Sequence, residues 1–419
     1  MDIKNYVKQI AQNAQTASRQ LSRVSSLAKN NALLQMADEL VKNTDHLIAE
    51  NDRDVTEAKK SVVLSKVMVE RLTLNKKTIA DMAQGLREVA ALPDPTGKVT
   101  SMWRRPNGLL VGRMRIPLGV IGIIYESRPN VTADASALCL KSGNAVILRG
   151  GSEAINSNLA ICSILQSVLR KNSLPEAAIQ VIPITDRAAV NEMLQLDEYI
   201  DLIIPRGGEE LIRAVVAQSK IPVIKHYKGV CHIFVDAHAD LEMAVNICFN
   251  AKVQRPGVCN ALETLLVHKD IARKFLPMVA EGLKNADVIL KGCAKTRKIL
   301  KDIEAASEDD WYAEYLDLIL AIRIVEDIDE AIAHIEKYGS LHTESIITAD
   351  YTNSQRFLNE VNSSTVMVNA STRFSDGFEL GLGAEIGIST TKLHAFGPMG
   401  LEELTTAKFI VYGNGQVRI

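Results

Sequence analysis

The sequence predicts an α/β protein with a doubly wound parallel sheet followed by a second α/β unit, and two observations carry this prediction. Continuous apolar runs such as GVIGIIY and NAVILRG alternate with longer segments whose apolar residues recur at helical spacing. This alternation is typical of right-handed crossovers and of a parallel sheet that is covered on both faces. A second alternating block begins near Asn250 and predicts the second unit.

Helices precede the first block. Within residues 1–92, positions Val7, Ile10 and Ala14 follow one another at steps of three and four, which predicts an amphipathic helix. The segment LPDPTGK at residues 92–98 ends this region with two prolines and a glycine. The next residues alternate like a pair of strands and lead into GVIGIIY.

Each of the two blocks predicts a series of strands and helices. The first predicts the strands GVIGIIY, NAVILRG, AIQVIP, YIDLIIP and PVIKH, with helices at VTADASALCLKS, AINSNLAICSILQSVLRK, AAVNEMLQL and GEELIRAVVAQS. The second predicts the strands DVILKG, LILAIRIV, ESIITAD and STVMVN, with helices at IARKFLPMVAEGLKNA, AKTRKIL, IDEAIAHIEKYG and SQRFLNEV. Ligands bind such sheets at the carboxyl ends of the strands, which here are rich in Gly, Arg and Ser.

The composition of the chain excludes some classes of protein. The 419 residues carry 48 Lys and Arg against 50 Asp and Glu, which argues against a nucleic-acid binder or a membrane-surface protein. No apolar run reaches membrane-spanning length and the N-terminus lacks signal-peptide features, so we expect a cytoplasmic protein. None of the six cysteines has the spacing of a zinc ligand pair, and we predict no metal site.

Cys259 is the most conspicuous residue, in the segment VQRPGVCNALET. The Arg-Pro-Gly lead-in brings a positive charge near the thiol, and the run that follows could begin a helix whose N-terminus favours a thiolate. The alternative is a small buried core cysteine. The residue falls just past the junction of the two blocks, and clefts between domains are favoured ligand sites. The sequence contains no GxGxxG or P-loop motif, so a bound nucleotide needs another phosphate grip.

Several long motifs carry a family resemblance. The segments PVIKHYKGVCHIFVD, QRPGVCNALET, LGLGAEIGIST and GPMGLEEL resemble the gamma-glutamyl phosphate reductase branch of the aldehyde dehydrogenase superfamily, and residues 325–346 look like that branch's signature. The resemblance implies an aldehyde dehydrogenase-like fold. It places a helical N-terminus and cofactor domain at 1–250, with part of a β arm near 104–117, a catalytic domain at 251–372, and a return with an oligomerisation strand at 373–419.

The resemblance also implies a reaction, the NADPH-dependent reduction of L-glutamyl 5-phosphate to L-glutamate 5-semialdehyde in proline biosynthesis. Cys259 is then the nucleophile, and the Asn130 side chain with the backbone N–H of Cys259 stabilises the oxyanion. Asn130 follows a proline and precedes a helix, so it could instead be an N-cap. Hydrolytic relatives keep a water-activating Glu where this chain has His226, which is either a weak base, a phosphate contact or a packed histidine.

Two glycine-rich turns are the implied cofactor contacts: Arg149, Gly150, Gly151, Ser152 and Glu153, and Pro205, Arg206, Gly207 and Gly208. Arg149 suits the 2′-phosphate of NADPH, and backbone N–H groups near Gly208 suit a pyrophosphate. Both segments could also be ordinary strand-to-helix turns. The zwitterionic end of the substrate needs both signs of charge, for which the candidates are Arg128, Arg255, His342, Thr343, Glu344 and Asp376.

Alternatives remain at this stage. SLHTES, which contains His342, could be a solvated loop, and Phe396 stands where relatives commonly carry Arg, which puts one charge contact in doubt. A CoA-dependent acylating enzyme of the same fold is one rival, and a non-catalytic scaffold is another, although the intact Cys259 segment argues against the scaffold. A homo-oligomer and a separate glutamate 5-kinase are the expected protein partners.

Overall fold

A computed structural model describes residues 2–60 and 66–418. The chain forms two compact units, of which the first comprises Met1–Lys225, Leu382–Gly387 and Met399–Ile419. The second comprises His226–Gly381 and Ile388–Pro398. In the described ranges no helix is both long enough and apolar enough to cross a lipid bilayer.

The helices follow one another in chain order. They are α1 (Ile3–Leu21), α2 (Ser26–Lys42), α3 (Thr44–Lys60), α4 (Lys66–Leu72), α5 (Lys76–Ala91), α6 (Asn130–Lys141), α7 (Ile155–Lys171), α8 (Arg187–Met193), α9 (Glu209–Gln218), α10 (Leu241–Val253), α11 (Lys269–Asn285), α12 (Ala294–Ile299), α13 (Ile328–Tyr338) and α14 (Tyr351–Glu360).

The strands are numbered in the same way. They are β1 (Val99–Arg104), β2 (Leu110–Pro117), β3 (Val120–Tyr125), β4 (Ala145–Arg149), β5 (Ile179–Val181), β6 (Leu202–Arg206), β7 (Cys231–Val235), β8 (Leu262–His268), β9 (Ile289–Gly292), β10 (Glu304–Ala305), β11 (Ile319–Val325), β12 (Thr343–Ile347), β13 (Thr365–Val368), β14 (Ile388–Ser389), β15 (Gly397–Pro398) and β16 (Thr405–Tyr412).

The first unit is built on a four-stranded parallel sheet in the order β5-β4-β3-β6. Every residue of β3 and β4 is buried, which explains why both read as continuous apolar runs. Helices α1, α6, α7 and α9 pack on these strands, and α2 packs on α5. The N-terminal helices begin at side-chain caps such as Asp2, Ser25 and Asn75, each accepting a backbone N–H of the first turn.

A separate antiparallel sheet in the order β1-β2-β16 forms the predicted β arm. The C-terminal strand β16 pairs with β2 along its whole length, from Thr405 opposite Pro117 to Tyr412 opposite Leu110. All of β1 is exposed, as are the large apolar side chains of Phe409 and Tyr412 on β16. The terminal strand therefore has its partner within the chain, while apolar surface remains on both edge strands.

The second unit contains a seven-stranded sheet in the order β10-β9-β11-β8-β7-β12-β13, in which every pair is parallel. Successive side chains of a strand point to opposite faces, so Ile233 packs in the core beneath α10 and α11, whereas Phe234 packs in the core beneath α13 and α14. The sheet is thus covered on both faces, as the sequence predicts for a doubly wound fold.

Four sequence predictions need correction. The segment PVIKH is not a strand, because only Val223 forms an isolated bridge, with Ile203, and Pro222 has no N–H to extend the ladder. The run after Cys259 is strand β8 rather than a helix. The second unit begins at His226 rather than after residue 250, because β7 pairs with β8 and β12. The predicted return segment 373–419 is also divided, since 382–387 and 399–419 join the first unit while 373–381 and 388–398 belong to the second.

Replacement of Phe275 tests the core of the second unit. Phe275 on α11 is fully buried, so we expect Phe275→Ala to lower the free energy of unfolding by about 3–5 kcal/mol. Phe249→Ala on α10, where the ring is 38% exposed, is the matched control and should cost about 1 kcal/mol or less. Denaturant titration of both variants measures the difference, and equal losses would contradict the assignment of this core.

Candidate active site

Cys259 lies in a turn between the end of α10 and the start of β8, and its side chain is half-buried. Pro256 and Gly257 are in the turn just before it. Strand β8, and not a helix, follows the cysteine, so the prediction that a helix N-terminus favours the thiolate is wrong. Any stabilisation of its thiolate must come from nearby charges and hydrogen-bond donors instead.

The backbone of Gly229 approaches the backbone of Cys259 more closely than a side chain would permit. A Cβ atom at position 229 would lie 2.0 Å from the carbonyl oxygen and 2.7 Å from the carbonyl carbon of Cys259. The thiol of Cys231 donates to the same carbonyl oxygen across 3.2 Å. The segment that leads into β7 therefore forms the floor on which the cysteine turn rests.

A carboxylate also contacts the segment beneath the cysteine turn. The Oε1 atom of Glu314 accepts the backbone N–H of Gly229 at 2.8 Å. The neighbouring Lys228 donates to the carbonyl of Tyr312 at 2.7 Å. Sequence reasoning missed Glu314, because its position near Gly229 depends on contacts between distant segments that no local pattern reports.

Charged side chains gather beside the cysteine turn. Arg373 donates through Nε to the side chain of Gln254 at 2.7 Å. Burial and the positive charge of Arg255 lower the pKa of the Arg373 guanidinium, while Asp376 and Cys259 oppose this shift. The structure thus brings the predicted residues Arg255 and Asp376 together near Cys259, and it adds Arg373, which the sequence did not single out.

The cysteine turn is also tied to the segment after β13. The side-chain amide of Asn260 donates to the carbonyl of Ser375 at 2.9 Å. Ser371 donates to the side chain of Asn250 at 2.8 Å. These bonds hold the segment with Arg373 and Asp376 against the end of α10 and the cysteine turn.

The rings of His226 and His342 lie near each other in the same unit. His226 donates from Nδ1 to the carbonyl of Ile388 at 2.8 Å, which leaves the lone pair of the neutral ring on Nε2. Its ring centre is 5.8 Å from that of His342. Burial, together with the nearby His226, lowers the pKa of His342 to about 3, so this imidazole is neutral at physiological pH. Its Nδ1 lies 3.7 Å from the sulfur of Cys231.

The segment from His342 to Glu344 is buried at the start of β12 rather than solvated. The alternative of a solvated loop is therefore wrong. Thr343 contacts His342 through its hydroxyl at 2.8 Å. One carboxylate oxygen of Glu344 accepts both the backbone N–H of His232, at 2.8 Å, and its Nδ1, at 2.9 Å. Burial raises the pKa of Glu344, and the bonds to His232 oppose that shift.

In the first unit, the predicted cofactor residues lie at the carboxyl ends of β4 and β6. Arg149 is buried, and its terminal nitrogens donate to the carbonyls of Gly150 and, at 2.8 Å, of Thr185. Its Nε and the Nδ2 of Asn158 have no partner among the described residues. A Cβ at Gly150 would lie 2.2 Å from that Nδ2 atom, so glycine leaves the backbone bare here.

The remaining cofactor candidates surround this edge. Ser127 donates to Glu153 at 2.5 Å, beside Gly151, whose Cβ would collide with the same carboxylate. The backbone N–H of Gly208, at the start of α9, donates to Glu126 at 3.1 Å. The other cofactor candidates differ in exposure: Pro205 is buried, Arg206 is half-buried, and Ser152 and Gly207 are exposed. The substrate candidate Arg128 is exposed as well.

Asn130 is the first residue of α6, and its side chain does not cap the helix. The N-cap interpretation is therefore wrong. The side-chain amide donates instead to Asp134, one turn later, at 3.0 Å. Burial raises the pKa of Asp134 to about 6, against the hydrogen bond from Asn130 and the charge of Arg206.

No group of three or more His, Cys, Asp or Glu side chains that could hold a metal ion occurs in residues 2–60 and 66–418. Phe396 is exposed, with the Lys392 ammonium 5.5 Å from its ring centre. No disulfide involves any of the six cysteines, all of which lie in the described ranges.

Two parallel-sheet units and a cysteine turn of this kind define the aldehyde dehydrogenase class, and the model of the Aldehyde dehydrogenase family matches residues 3–292. Gamma-glutamyl phosphate reductases from Geotalea daltonii and Geobacter metallireducens are 65% and 63% identical to the chain over 418 residues, with all of each protein covered. The crystal structure of the Thermotoga maritima enzyme of that name has a TM-score of 0.96 at 47% identity, covering 99% of this chain and 100% of that one. The chain therefore belongs to the gamma-glutamyl phosphate reductase family and is an oxidoreductase.

A methyl group at position 229 tests the floor of the cysteine turn. Because the Cβ of Gly229→Ala would meet the Cys259 backbone at 2.0 Å, one of the two segments must move. We expect kcat to fall by roughly 100-fold, since displacement of a reacting group by about 1 Å has that effect. Gly282→Ala on α11 is the control, because its Cβ would meet only Phe249, at 3.6 Å. Activity of Gly229→Ala within twofold of the parent would contradict the assigned contact.

Asp134→Asn tests the pKa of the half-buried carboxyl beside Asn130. A carboxyl whose folded pKa is raised, here from 3.8 to about 6, contributes stability below pH 4 that is lost as the pH rises through 6. The parent should therefore lose about 2 kcal/mol relative to the variant between pH 4 and pH 7. Denaturant titrations at both pH values measure this, and a constant difference would rule it out.

Proposed function

We propose that this chain catalyses the NADPH-dependent reduction of L-glutamyl 5-phosphate to L-glutamate 5-semialdehyde and phosphate in proline biosynthesis. The single observation that carries the proposal is the Cys259 turn, built on the Gly229 backbone with Arg255, Arg373 and Asp376 beside it. Two cations suit an anionic acyl phosphate with an α-carboxylate, and the carboxylate of Asp376 suits an α-ammonium group. The names of the similar proteins support the same reaction.

The reaction proceeds in three steps at Cys259. The thiolate attacks the acyl carbon, the C–O bond to phosphate breaks, and inorganic phosphate leaves with the bonding electrons. The resulting thioester accepts a hydride at the same carbon and becomes a thiohemiacetal. The oxygen then re-forms its double bond, the C–S bond breaks, and the semialdehyde leaves while Cys259 is regenerated.

Oxyanions form at the first two steps, and they need fixed hydrogen-bond donors. We propose the backbone N–H of Cys259 for this role, and oxyanion binding by the side-chain amide of Asn130, which donates to Asp134 at 3.0 Å, stays a prediction. His226 stands where hydrolytic relatives keep a Glu. Its Nδ1–H is used by the Ile388 carbonyl, so His226 would contact the leaving phosphate through Nε2, with a proton on that atom to donate.

NADPH supplies the hydride when it is bound. The carboxyl edge of the first unit's sheet fits such a group, because Gly150 leaves bare backbone next to the unpartnered Arg149 Nε and Asn158 Nδ2 atoms. The buried charge of Arg149 favours a phosphate there. Its terminal nitrogen donates to the Thr185 carbonyl and so holds that loop against β4. The 2′-phosphate contact of Arg149, the pyrophosphate contact at Gly208, and substrate binding by Arg128, His342, Thr343 and Glu344 stay predictions.

The surroundings of the enzyme follow from the same proposal. A biosynthetic step on a labile acyl phosphate suits a cytoplasmic enzyme and a separate glutamate 5-kinase as its supplier. The exposed apolar side chains of β1 and β16, among them Trp103 and Phe409, support a homo-oligomer formed through the β arm.

The reverse reaction tests the proposal. Parent enzyme should reduce NADP⁺ with glutamate 5-semialdehyde only when inorganic phosphate is present. Cys259→Ser should lose at least about a thousandfold in kcat, because removal of a nucleophile removes the covalent route. Cys293→Ser, which alters the other partly exposed cysteine, should stay within twofold. Absorbance at about 340 nm measures the reduction of NADP⁺ in each of these reactions.

Three outcomes would overturn it. A phosphate-independent rate would indicate hydrolysis, and a rate that requires coenzyme A would indicate an acylating enzyme of the same fold. Full activity in Cys259→Ser would make Cys259 a core cysteine.

A further inference from the structure

A buried ion pair closes the base of the loop that carries Cys259. Lys252 lies in the last turn of α10 and Glu263 is the second residue of β8, so the two flank the cysteine turn on either side. The distance from Nζ to Oε2 is 2.7 Å, and both side chains are 0% exposed. Neither residue was singled out by the sequence, and neither has a part in the steps of the proposed reaction.

The pair is connected to the floor beneath Cys259. The second oxygen of Glu263 accepts the backbone N–H of Leu316 at 3.2 Å. Two residues earlier, Glu314 accepts the backbone N–H of Gly229. Gly229 in turn contacts the backbone of Cys259. The segment that contains Glu314 and Leu316 therefore links Glu263 to the cysteine turn.

A buried ion pair is a poor source of stability. Removal of two charges from water is costly, and well-packed apolar side chains of similar volume are often as stable or more stable. Burial raises the pKa of Glu263 and lowers that of Lys252, and each charge is maintained by its partner. A pair of this kind at the two ends of one functional loop therefore calls for a role other than net stability.

We propose that Lys252 and Glu263 are positioning residues, which fix the two ends of the cysteine turn so that the Cys259 sulfur and backbone N–H keep their reactive placement. The directional bond between them sets the spacing of α10 and β8, whereas apolar contacts between the same two residues would allow the ends to slide. Loss of the bond should therefore affect the chemical step more than substrate binding.

The decisive variant removes both charges together. Lys252→Met alone would leave Glu263 buried without its partner and could prevent folding. The double variant Lys252→Met with Glu263→Leu keeps the volume, so we expect a folded protein with a melting temperature near that of the parent. Its kcat in the phosphate-dependent assay should fall by about 10- to 100-fold, while KM changes by less than about threefold.

A second measurement needs no turnover. Cys259 and Cys293 are the two partly exposed cysteines, so limited alkylation with iodoacetamide and site-resolved mass spectrometry gives their ratio in one sample. The ratio of Cys259 to Cys293 modification should change at least threefold in the double variant. Cys293 serves as the internal reference, because its hydroxyl partner Thr296 lies on α12, away from the cysteine turn in the chain.

The chain provides a matched control. Lys29 and Asp94 form another buried ion pair, at 2.5 Å with exposures of 1% and 7%, in the first unit. Lys29→Met with Asp94→Leu should leave both the alkylation ratio and the kcat of the folded protein within twofold of the parent. A change in that control equal to the change in the Lys252 and Glu263 variant would show a general effect of lost ion pairs and would overturn the proposal.

The inference rests on the proposed role of Cys259 as nucleophile, and the two can fail separately. A folded double variant with parental kcat and alkylation ratio would refute the positioning role while Cys259→Ser still abolishes activity. If the double variant does not fold, Glu263→Asp decides, because it keeps both charges and shortens the reach by one methylene. We then expect a lower kcat at unchanged KM, and parental kcat would refute the inference.

Discussion

The close approach of two backbones, at Gly229 and Cys259, is the constraint on which the arrangement of the second unit depends. A side chain at position 229 would collide with the Cys259 carbonyl, so the approach requires glycine. The parallel pairing of β7 with β8 brings the two segments together, because Gly229 precedes one strand and Cys259 precedes the other. The carbonyl that faces Gly229 is also the acceptor for the Cys231 thiol, and the Gly229 N–H is held by Glu314. The cysteine turn, which is followed by a strand and not by a helix, is thereby held in place by its neighbours.

Polar groups are buried on both faces of the same sheet, and they differ in how well they are satisfied. On the α10 face, Lys252 and Glu263 neutralise each other. On the α13 face, Glu344 holds His232, but both nitrogens of His334 lack a partner among the described residues. Burial lowers the pKa of His334 to about 2, so its ring is neutral and avoids the larger cost of a buried charge. Ordered water is the usual partner of such orphaned atoms.

The sequence predicted most elements because their patterns are local. The long periodic helices α7 and α11 and the buried strands β3 and β4 leave little choice between helix and strand. Strand β8 was missed because a short, continuous apolar run fits a buried helix equally well. Glu314, Arg373 and the Lys252–Glu263 pair were missed for a different reason, since their proximity to Cys259 arises from pairing between segments far apart in the chain. The boundary between the two units was misplaced for the same reason, because only the pairing of β7 with β8 and β12 assigns β7 to the second sheet.

Two groups near Cys259 would favour survival of the proposed thioester until hydride arrives. His342 is neutral with a pKa of about 3, so it is too weak a base to activate water at physiological pH. Burial raises the pKa of the Cys231 thiol, which keeps this second sulfur protonated and unreactive. Near the proposed thioester, a weakly basic His342 and a protonated Cys231 would not compete with hydride for the acyl carbon, and this agrees with a histidine, rather than a glutamate, at position 226.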